Sequence, residues 1–279
     1  MESGKFDLRG WEYTKDGVAK GFSNVLGLLW DKELDTLSLN IANLEKLVFE
    51  KLTKRNILSV AHRIFDPLGF VCPIALGPKI LLQEAWAAKL SWDEELSDDI
   101  EKRFMQWINE LRNINQIKIP RCMIGMVDET DEISLHIFVD ASELAYATVI
   151  FIRIQQEHDV QVYFVQAKTR VAPAVKSKTN ARTSIPRLEL LAATIGARLA
   201  AQVIESLDVK NVKLYYWTDS SAVVTWIQRE NNWSVFVSNR VKEIRQLTDY
   251  RQWRHIPGHR NPADLPSRGC TVHQLLTSK

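Results

Sequence analysis

The strongest constraint on the fold lies in the second half of the chain, where apolar and polar residues begin to alternate at residue 133. Ile133, Leu135, Ile137 and Val139 follow a period of two, which is typical of a strand with one buried face, and the run ends at Asp140. The pattern then predicts strands at 147–154, 160–167, 212–218 and 252–256, and helices at 186–207, 220–229, 233–248 and from about residue 264. This order, β-β-β-α-β-α-α-β-α, predicts a mixed α/β (α+β) domain over residues 133–279.

The first half has a different pattern. A strand at 25–30, a turn at 31–35 and a return strand at 36–39 predict a β-hairpin. Helices are predicted after Thr53, at 80–90 and after Ser97, and the segment 66–69 (Asp-Pro-Leu-Gly) should end the first of them. The acidic stretch 126–132 is a candidate linker.

Composition excludes several classes of protein. The chain is 46% hydrophobic and 25% charged, which is ordinary for a globular protein and argues against wholesale disorder. Three scattered cysteines form neither a disulfide framework nor a C-x-x-C metal site. Because no signal peptide or membrane-length apolar run is visible, we expect an intracellular protein, cytoplasmic or nuclear, with no membrane partner.

Formal charge is distributed unevenly. Residues 1–135 carry a net charge of −5 and residues 136–279 a net charge of +7. Six basic residues and no acidic residue lie between 168 and 187: Lys168, Arg170, Lys176, Lys178, Arg182 and Arg187. This segment is either a solvated linker or a surface that neutralises nucleic-acid phosphates, and the absence of acids favours the second interpretation.

Four acidic residues occupy positions that suggest a shared site. Asp140 and Asp219 each end an apolar strand, and Asp264 opens the last helix. Glu189 is expected in the first turn of an otherwise apolar helix, on a stripe of small residues (Ala192, Ala193, Gly196 and Ala200) that lets the helix approach a sheet closely. Taken alone, Asp219 and Asp264 could instead cap helices, and Glu189 could interact favourably with a helix dipole.

Four converging carboxylates would repel one another and raise their pKa values unless divalent cations neutralised them. Oxygen ligands suit Mg²⁺, and two ions about 3.5–4 Å apart suit in-line phosphodiester hydrolysis. The sequence therefore predicts two Mg²⁺ ions, with Mn²⁺ as a substitute, and no organic cofactor.

The motifs around these acids resemble the RNase H domain of BEL/Pao retrotransposon polyproteins, a region also catalogued as "Pao retrotransposon peptidase". The segments that carry the resemblance are 138–142 (FVDAS), 185–190 (IPRLEL), 217–221 (WTDSS) and 255–264 (HIPGHRNPAD). Upstream, 26–30 (LGLLW), 53–55 (TKR) and 63–69 (RIFDPLG) are similar to the same polyproteins. The resemblance implies an RNase H-like mixed five-stranded sheet. It also implies three units: the tail of a reverse-transcriptase palm at 1–52, a mainly helical thumb/connection-like segment at 53–125, and the RNase H-like domain at 133–279.

The resemblance also implies functions for individual residues. Asp140 would bridge both ions, Glu189 and Asp219 would hold one ion, and Asp264 would hold the other. His259 would be a mobile loop histidine beside the scissile phosphate, although His255 is an alternative and either could be packed or solvated. Ser142 and Asn180 would contact a nucleic-acid strand. The implied partners are an RNA–DNA hybrid, whose RNA strand is cleaved, and the rest of the polyprotein, including the reverse-transcriptase palm and an integrase.

Two alternative functions stay open. The chain could be a catalytically inactive nucleic-acid-binding remnant of a retroelement, or an aspartic peptidase. The peptidase is disfavoured because its Asp-Thr/Ser-Gly motif is missing, and the nearest match, at Asp219-Ser220-Ser221-Ala222, lacks the glycine. No Tyr-x-Asp-Asp polymerase motif occurs in the chain, so we do not expect it to polymerise DNA by itself.

Overall fold

The computed structural model describes residues 21–41, 47, 49–123, 131–174, 183–207 and 211–278. The first half contains strands and helices in the order β1 Phe22–Val25, β2 Leu28–Asp31, β3 Thr36–Leu39, α1 Lys54–Arg63, α2 Cys72–Ala87, α3 Asp98–Leu111 and β4 Ile119–Pro120. The second half contains β5 Glu132–Ala141, β6 Ala145–Gln155, β7 Val160–Val171, α4 Ile185–Ser206, β8 Lys213–Thr218, α5 Ser221–Gln228, α6 Val235–Leu247, β9 Trp253–His255, α7 Asp264–Arg268 and α8 Val272–Thr277. No helix of the described segments has the length and apolar character needed to cross a membrane.

The N-terminal hairpin is part of an antiparallel sheet with strand order β1-β2-β3-β4. The predicted turn at 31–35 is confirmed, but the single strand predicted at 25–30 is wrong, because the chain reverses between β1 and β2. Leu26 and Gly27 both have positive φ, at 49° and 82°, which is the backbone conformation of a tight hairpin turn. β4 joins this sheet from beyond the third helix, where no strand was predicted.

The three helices of the first half form their own apolar core with β2, β3 and α8. Thr53 caps α1 as predicted, since its hydroxyl accepts the N–H of Asn56 and the Asn56 side chain accepts the N–H of Thr53. α2 begins eight residues earlier than the predicted residue 80 and includes Pro78. A proline leaves one helix carbonyl without its usual donor, and here the Trp107 indole of α3 donates to the Ile74 carbonyl at 2.9 Å.

The second half folds around a five-stranded mixed sheet with strand order β7-β6-β5-β8-β9. β5 pairs antiparallel with β6 and parallel with β8, and β8 pairs parallel with β9. The predicted RNase H-like sheet, with its flanking helices and its preceding helical segment and hairpin, is confirmed. The last predicted helix is instead two short helices, α7 and α8, separated by Gly269, whose φ is +79°.

The long helix α4 packs closely on this sheet. A Cβ atom added at Gly196 would lie 2.6 Å from Val139 Cγ1 of β5, so only glycine permits the observed separation. The neighbouring Ala192, Ala193 and Ala200 are also buried. The predicted small-residue stripe therefore does bring α4 against the strand that ends at Asp140.

The helical segment also contacts the sheet directly. In the loop after α1, the Asp66 carboxylate accepts hydrogen bonds from the backbone N–H groups of Gly69, Phe70 and Val71. The turn is pressed against β7, where Ala167 donates its N–H to the Leu68 carbonyl at 2.8 Å. In α2, the Gln83 side chain donates to the Ala172 carbonyl at 2.7 Å.

Candidate metal centre

Asp140 lies at the end of β5 and is only 2% exposed. Its Oδ2 atom accepts a hydrogen bond from the Ser267 hydroxyl of α7. Burial, together with the negative charges of Asp219 and Asp264, raises the pKa of Asp140 to about 6, although the Ser267 hydrogen bond acts in the opposite direction.

Glu189 reaches the same place from α4. The side chain is 5% exposed, and its Oε1 accepts the N–H of Ala141, the residue after Asp140, at 3.2 Å. Burial, and then repulsion by Asp140 and Asp219, raises the pKa of Glu189 to about 9. Glu189 therefore carries a proton at neutral pH unless a cation binds beside it.

Asp219 follows β8, whose carboxyl end adjoins that of β5 because the two strands are parallel. The sequence left open whether this residue caps a helix, and the structure gives that position to Ser220, whose hydroxyl accepts the N–H of Val223. The Asp219 carboxylate is therefore not the cap of this helix. Gly258 lies so close that an added Cβ would be 3.0 Å from Asp219 Oδ2.

These three carboxylates form a compact cluster. One oxygen from each of Asp140, Glu189 and Asp219 lies within 4.8 Å of the others. Glu189 Oε2 and Asp219 Oδ1 are buried and have no hydrogen-bond partner. Unpaired buried oxygens among like charges are costly, and a hard divalent cation would satisfy them, so the residues present fit the predicted metal.

Asp264 has a different environment. It is the first residue of α7, its side chain is 43% exposed, and its Oδ1 accepts a hydrogen bond from Arg268 Nε at 2.5 Å. Its charge still raises the pKa of Asp140, but it is not a member of the three-carboxylate cluster.

Two residues that the sequence interpretation missed hold the cluster in place. Ser267 donates to Asp140, as described above, and is fully buried. Asn261 is 4% exposed, and its side-chain amide donates to the Val139 carbonyl at 2.9 Å, which fixes the loop after β9 to the end of β5. The only sequence signal was their closeness to Asp264, three residues away in each direction.

Both loop histidines are exposed. His255 Nε2 is 3.1 Å from the Asp219 carbonyl oxygen. His259 is exposed in a 3₁₀ turn at 258–260, next to the Gly258 that touches Asp219. The structure therefore brings the segment of His259 to the cluster.

The other predicted contact residues have varied positions. Ser142 is buried in the turn between β5 and β6, where its hydroxyl donates to the Ser267 carbonyl at 2.6 Å and accepts two backbone N–H groups. Lys168 and Arg170 lie on β7 and not in a loop, because pairing with β6 continues as far as Val171. Arg187 is exposed on α4. Lys176, Lys178, Asn180 and Arg182 lie outside the described residues.

Similar solved structures include RNase H enzymes and a reverse transcriptase. The N-terminal RNase H domain of a Mycobacterium tuberculosis protein is 12% identical, with 47% of this chain and 86% of that chain covered and a TM-score of 0.31. RNase H1 from the archaeon Halobacterium salinarum is 12% identical, with 47% and 90% covered and a TM-score of 0.30. The foamy viral protease-reverse transcriptase, solved in complex with dsDNA, is 9% identical, with 86% and 45% covered and a TM-score of 0.44. A comparison with curated proteins finds no match.

A protein-family model gives the family. The model of the Pao retrotransposon-like RNaseH-like domain matches residues 53–220, which is more than half of the chain. The matched range contains Asp140, Glu189 and Asp219 and also the three helices of the first half. The resemblance to Pao retrotransposon proteins is thus confirmed, and the chain belongs to the family of Pao retrotransposon-like RNaseH-like domains.

Proposed function

We propose that the chain is a metal-dependent ribonuclease H that cleaves the RNA strand of RNA–DNA hybrids with two Mg²⁺ ions, or Mn²⁺ in their place. The observation that carries the proposal is the cluster of Asp140, Glu189 and Asp219, whose oxygens lie within 4.8 Å of one another. Two of its buried oxygens have no hydrogen-bond donor, which is the arrangement that a bound cation would relieve.

Each acid has a proposed role in this reaction. Asp140 would bridge both ions, and Glu189 and Asp219 would hold one of them. Asp264 would hold the other ion after its ion pair with Arg268 is broken. The ions, when bound, would stabilise the charge that develops on the phosphate during in-line displacement. The products would be a 3′-hydroxyl and a 5′-phosphate.

The neighbouring residues would orient the carboxylates. Ser267 would hold the Asp140 side chain, and the Ala141 N–H would hold one oxygen of Glu189 and leave the other directed into the cluster. His259 would lie beside the scissile phosphate. Basic residues of β7 and α4, together with those of 176–182, would neutralise phosphates of the hybrid. The Ser142 hydroxyl is occupied by hydrogen bonds to the Ser267 carbonyl and from two backbone N–H groups of its own turn, so we give it no strand contact.

We also propose that the chain is a piece of a retroelement pol polyprotein, with a reverse-transcriptase palm before it and an integrase as a further partner. The division into a palm tail at 1–52, a thumb/connection-like segment at 53–125 and an RNase H-like domain at 133–279 belongs to this proposal, as does an intracellular location. The family match to Pao retrotransposon proteins supports the context.

A cleavage assay with a matched control tests the activity. An end-labelled RNA–DNA hybrid is incubated in Mg²⁺ with the parent chain, with Asp219→Asn and with Asp159→Asn. Asp159 is an exposed aspartate in the β6–β7 turn. We expect Asp219→Asn to lose at least about 100-fold in rate, as for other groups that stabilise transition-state charge, and Asp159→Asn to keep the parent rate. Equal rates in all three proteins would show that Asp219 has no catalytic role.

One observation favours a second candidate function, a nucleic-acid-binding module without catalysis. Asp264 is paired with Arg268, and the described cluster has three carboxylates where the proposed reaction uses four. This candidate predicts that the parent chain binds the hybrid but does not cleave it, even in Mn²⁺. Cleavage by the parent that Asp219→Asn abolishes would rule it out.

A further inference from the structure

The face of the five-stranded sheet that points away from α4 carries a group of aromatic rings. Neighbouring strand residues alternate between the two faces, and Leu135, Ile137 and Tyr216 are buried on the α4 side. The residues between and beside them on β5 and β8 are half-buried on the opposite side and form what we call the aromatic face: His136, Phe138, Tyr215 and Trp217. None of the functions assigned above uses these rings.

The described helices cover this side of the sheet unevenly. α7 packs on it at β5 and β6, and α2 packs on it at β7. The rings of β5 and β8 remain partly open to solvent beside these helices. The aromatic face is therefore accessible to a ligand.

The rings of the aromatic face have fixed, nearly parallel orientations. The centroids of His136 and Trp217 are 6.1 Å apart with 5° between the ring planes, and Phe138 lies 6.2 Å from Trp217 at 15°. Tyr215 lies 5.0 Å from His136 at 23°. Trp217 Nε1 donates to His136 Nδ1 at 3.2 Å, and His136 Nε2 lies 3.1 Å from the Ser134 hydroxyl. Because these contacts orient the rings in advance, a ligand would bind at a smaller cost in side-chain entropy.

Two arginines flank the aromatic face. The Arg254 guanidinium carbon of β9 lies 4.9 Å from the centroid of the Tyr215 ring and 6.0 Å from that of Trp217. The register of β5 and β6 places Arg153 on the same side of the sheet. Burial, and then the positive charges of Arg153 and Arg254, lower the pKa of His136, so both guanidinium groups act on that ring. Neither arginine forms an ion pair within the described segments.

This combination of rings and charge matches an unpaired nucleic-acid strand. Every base has a flat π face that stacks on an aromatic side chain, and the backbone adds one negative charge per nucleotide. Glu132, an acid at the start of β5, is paired with Lys213 at 3.0 Å, so it does not neutralise the two arginines. The net positive charge of this surface is therefore complementary to phosphates. A duplex would present its backbone here, but its paired bases would not be free to stack on the rings.

We propose that the aromatic face binds single-stranded nucleic acid, with bases stacked on Tyr215 and Trp217 and with phosphates bound by Arg153 and Arg254. The inference goes beyond the proposed nuclease function and does not depend on it. The aromatic face uses none of the four acids, and binding there requires neither a metal ion nor cleavage.

Fluorescence anisotropy of a labelled oligothymidylate of about ten nucleotides tests the proposal, with the full chain in EDTA at several salt concentrations. Tyr215→Leu should weaken binding at least about fivefold without changing the slope of log K against log salt, because it removes a stacking partner and no charge. Tyr215→Phe keeps the ring and should retain the parent affinity. Arg254→Gln should weaken binding and reduce the slope by about 0.7 for one lost phosphate contact.

Matched controls come from the helix side of the sheet. Tyr250 is also exposed and also has an arginine near its ring, since Arg245 of α6 lies 5.5 Å from the ring centroid. Tyr250→Leu should therefore keep the parent affinity. Arg251→Gln should keep it as well, because that charge is already paired with Asp249.

Two further measurements complete the test. The affinity for an RNA–DNA hybrid of the same length should be the same in the parent and in Tyr215→Leu, because paired bases do not stack on the ring. Thermal melts establish that each variant is folded. Arg254 is exposed, so Arg254→Gln tests the site even if Tyr215→Leu does not fold.

Unchanged oligothymidylate affinity in both Tyr215→Leu and Arg254→Gln would overturn the inference. Equal weakening for oligothymidylate and hybrid in Tyr215→Leu would also overturn it, because the loss would not depend on unpaired bases. Sedimentation velocity tests a second copy as the occupant: a parent dimer that dissociates in Tyr215→Leu, with no oligothymidylate binding, would make the aromatic face an interface between copies. None of these results bears on hybrid cleavage, which has its own assay.

Discussion

Burial and mutual repulsion give Glu189 the most unusual environment of any acid in the described cluster. Its pKa of about 9 is far above its ordinary value of 4.5. The folded chain therefore keeps a proton that the unfolded chain loses, and without metal its free energy of unfolding must fall as the pH rises from about 4.5 to about 9. Above that range the contribution is constant.

Glu189→Gln should remove this pH dependence. In EDTA, the variant should gain stability relative to the parent as the pH rises from 5 to 9, by at most about 1.4 kcal/mol per pH unit. Urea denaturation at pH 5, 7 and 9 measures the difference. Glu205→Gln, at an exposed position near the end of the same helix, is the control and should follow the parent. Parallel stability curves for the parent and Glu189→Gln would contradict the raised pKa.

For individual residues, the sequence predicts the acidic residues of the cluster better than the polar residues that hold them in place. Asp140, Glu189 and Asp219 are recognisable because they interrupt or end apolar runs. Ser267 and Asn261 are not, because a serine or asparagine near a helix start has many local hydrogen-bonding options. Asp264 could have joined the cluster or paired with Arg268 one turn later, and spacing alone does not decide between them.

Among the secondary-structure elements, the contact of α4 with β5 controls the position of Glu189. Gly196 lies two turns along the helix from Glu189 and directly over Val139, the residue before Asp140. Any side chain at Gly196 must separate the two elements. The carboxylates on them would then move apart.

Gly196→Ala should therefore destabilise the chain although alanine is the better helix former. We expect a net loss of about 1–2 kcal/mol, because overpacking of a core outweighs the helix propensity gained. The midpoint of urea denaturation checks this, and the stabilisation by added Mg²⁺ should shrink as well. Gly77→Ala is the matched control: this glycine is also helical, but its added Cβ would lie at 3.3 Å from the Trp107 side chain. A variant at residue 196 as stable as the parent would show that α4 can shift freely.

The elements that the sequence predicts wrongly have identifiable physical causes. The strand at 25–30 is split because Leu26 adopts a positive φ, which is unusual for leucine. The early start of α2 is hidden by Pro78, whose missing hydrogen bond is replaced by an indole from another helix. Lys168 and Arg170 resemble loop residues by charge, yet they continue the edge strand β7, where exposed charged side chains are common.

In the molecule as a whole, the helical segment of the first half directly contacts the RNase H-like sheet of the second half. The family model spans 53–220 and so crosses the boundary near residue 133 that the sequence pattern predicts. The contact at the turn before α2 is close, since a Cβ at Gly69 would lie 2.0 Å from the Ala167 carbonyl oxygen of β7. No periodicity of either half could have predicted this contact, because it joins segments about 100 residues apart.

Gly69→Ala should therefore destabilise the full chain by more than the backbone strain that alanine has at a positive φ. Gly69 and Gly21 both have positive φ, at 83° and 107°, but an added Cβ at Gly21 meets nothing within 4 Å. Alanine at Gly21 should cost about 1 kcal/mol from backbone strain, and at Gly69 about 2 kcal/mol more from the clash with β7. Thermal melts of the two variants make the comparison. Equal losses would mean that the two halves do not depend on this contact.

We propose that Asp140, Glu189 and Asp219 form a divalent-metal site, and metal binding there should release protons. At pH 7 Glu189 should be protonated and Asp140 mostly ionised, so Mg²⁺ must displace about one proton as it binds. Calorimetric titration in buffers of different ionisation enthalpy measures this number. About one proton should be released per chain at pH 7, and none should be released by Glu189→Gln. Binding without proton release, or release that is unchanged in Glu189→Gln, would contradict it.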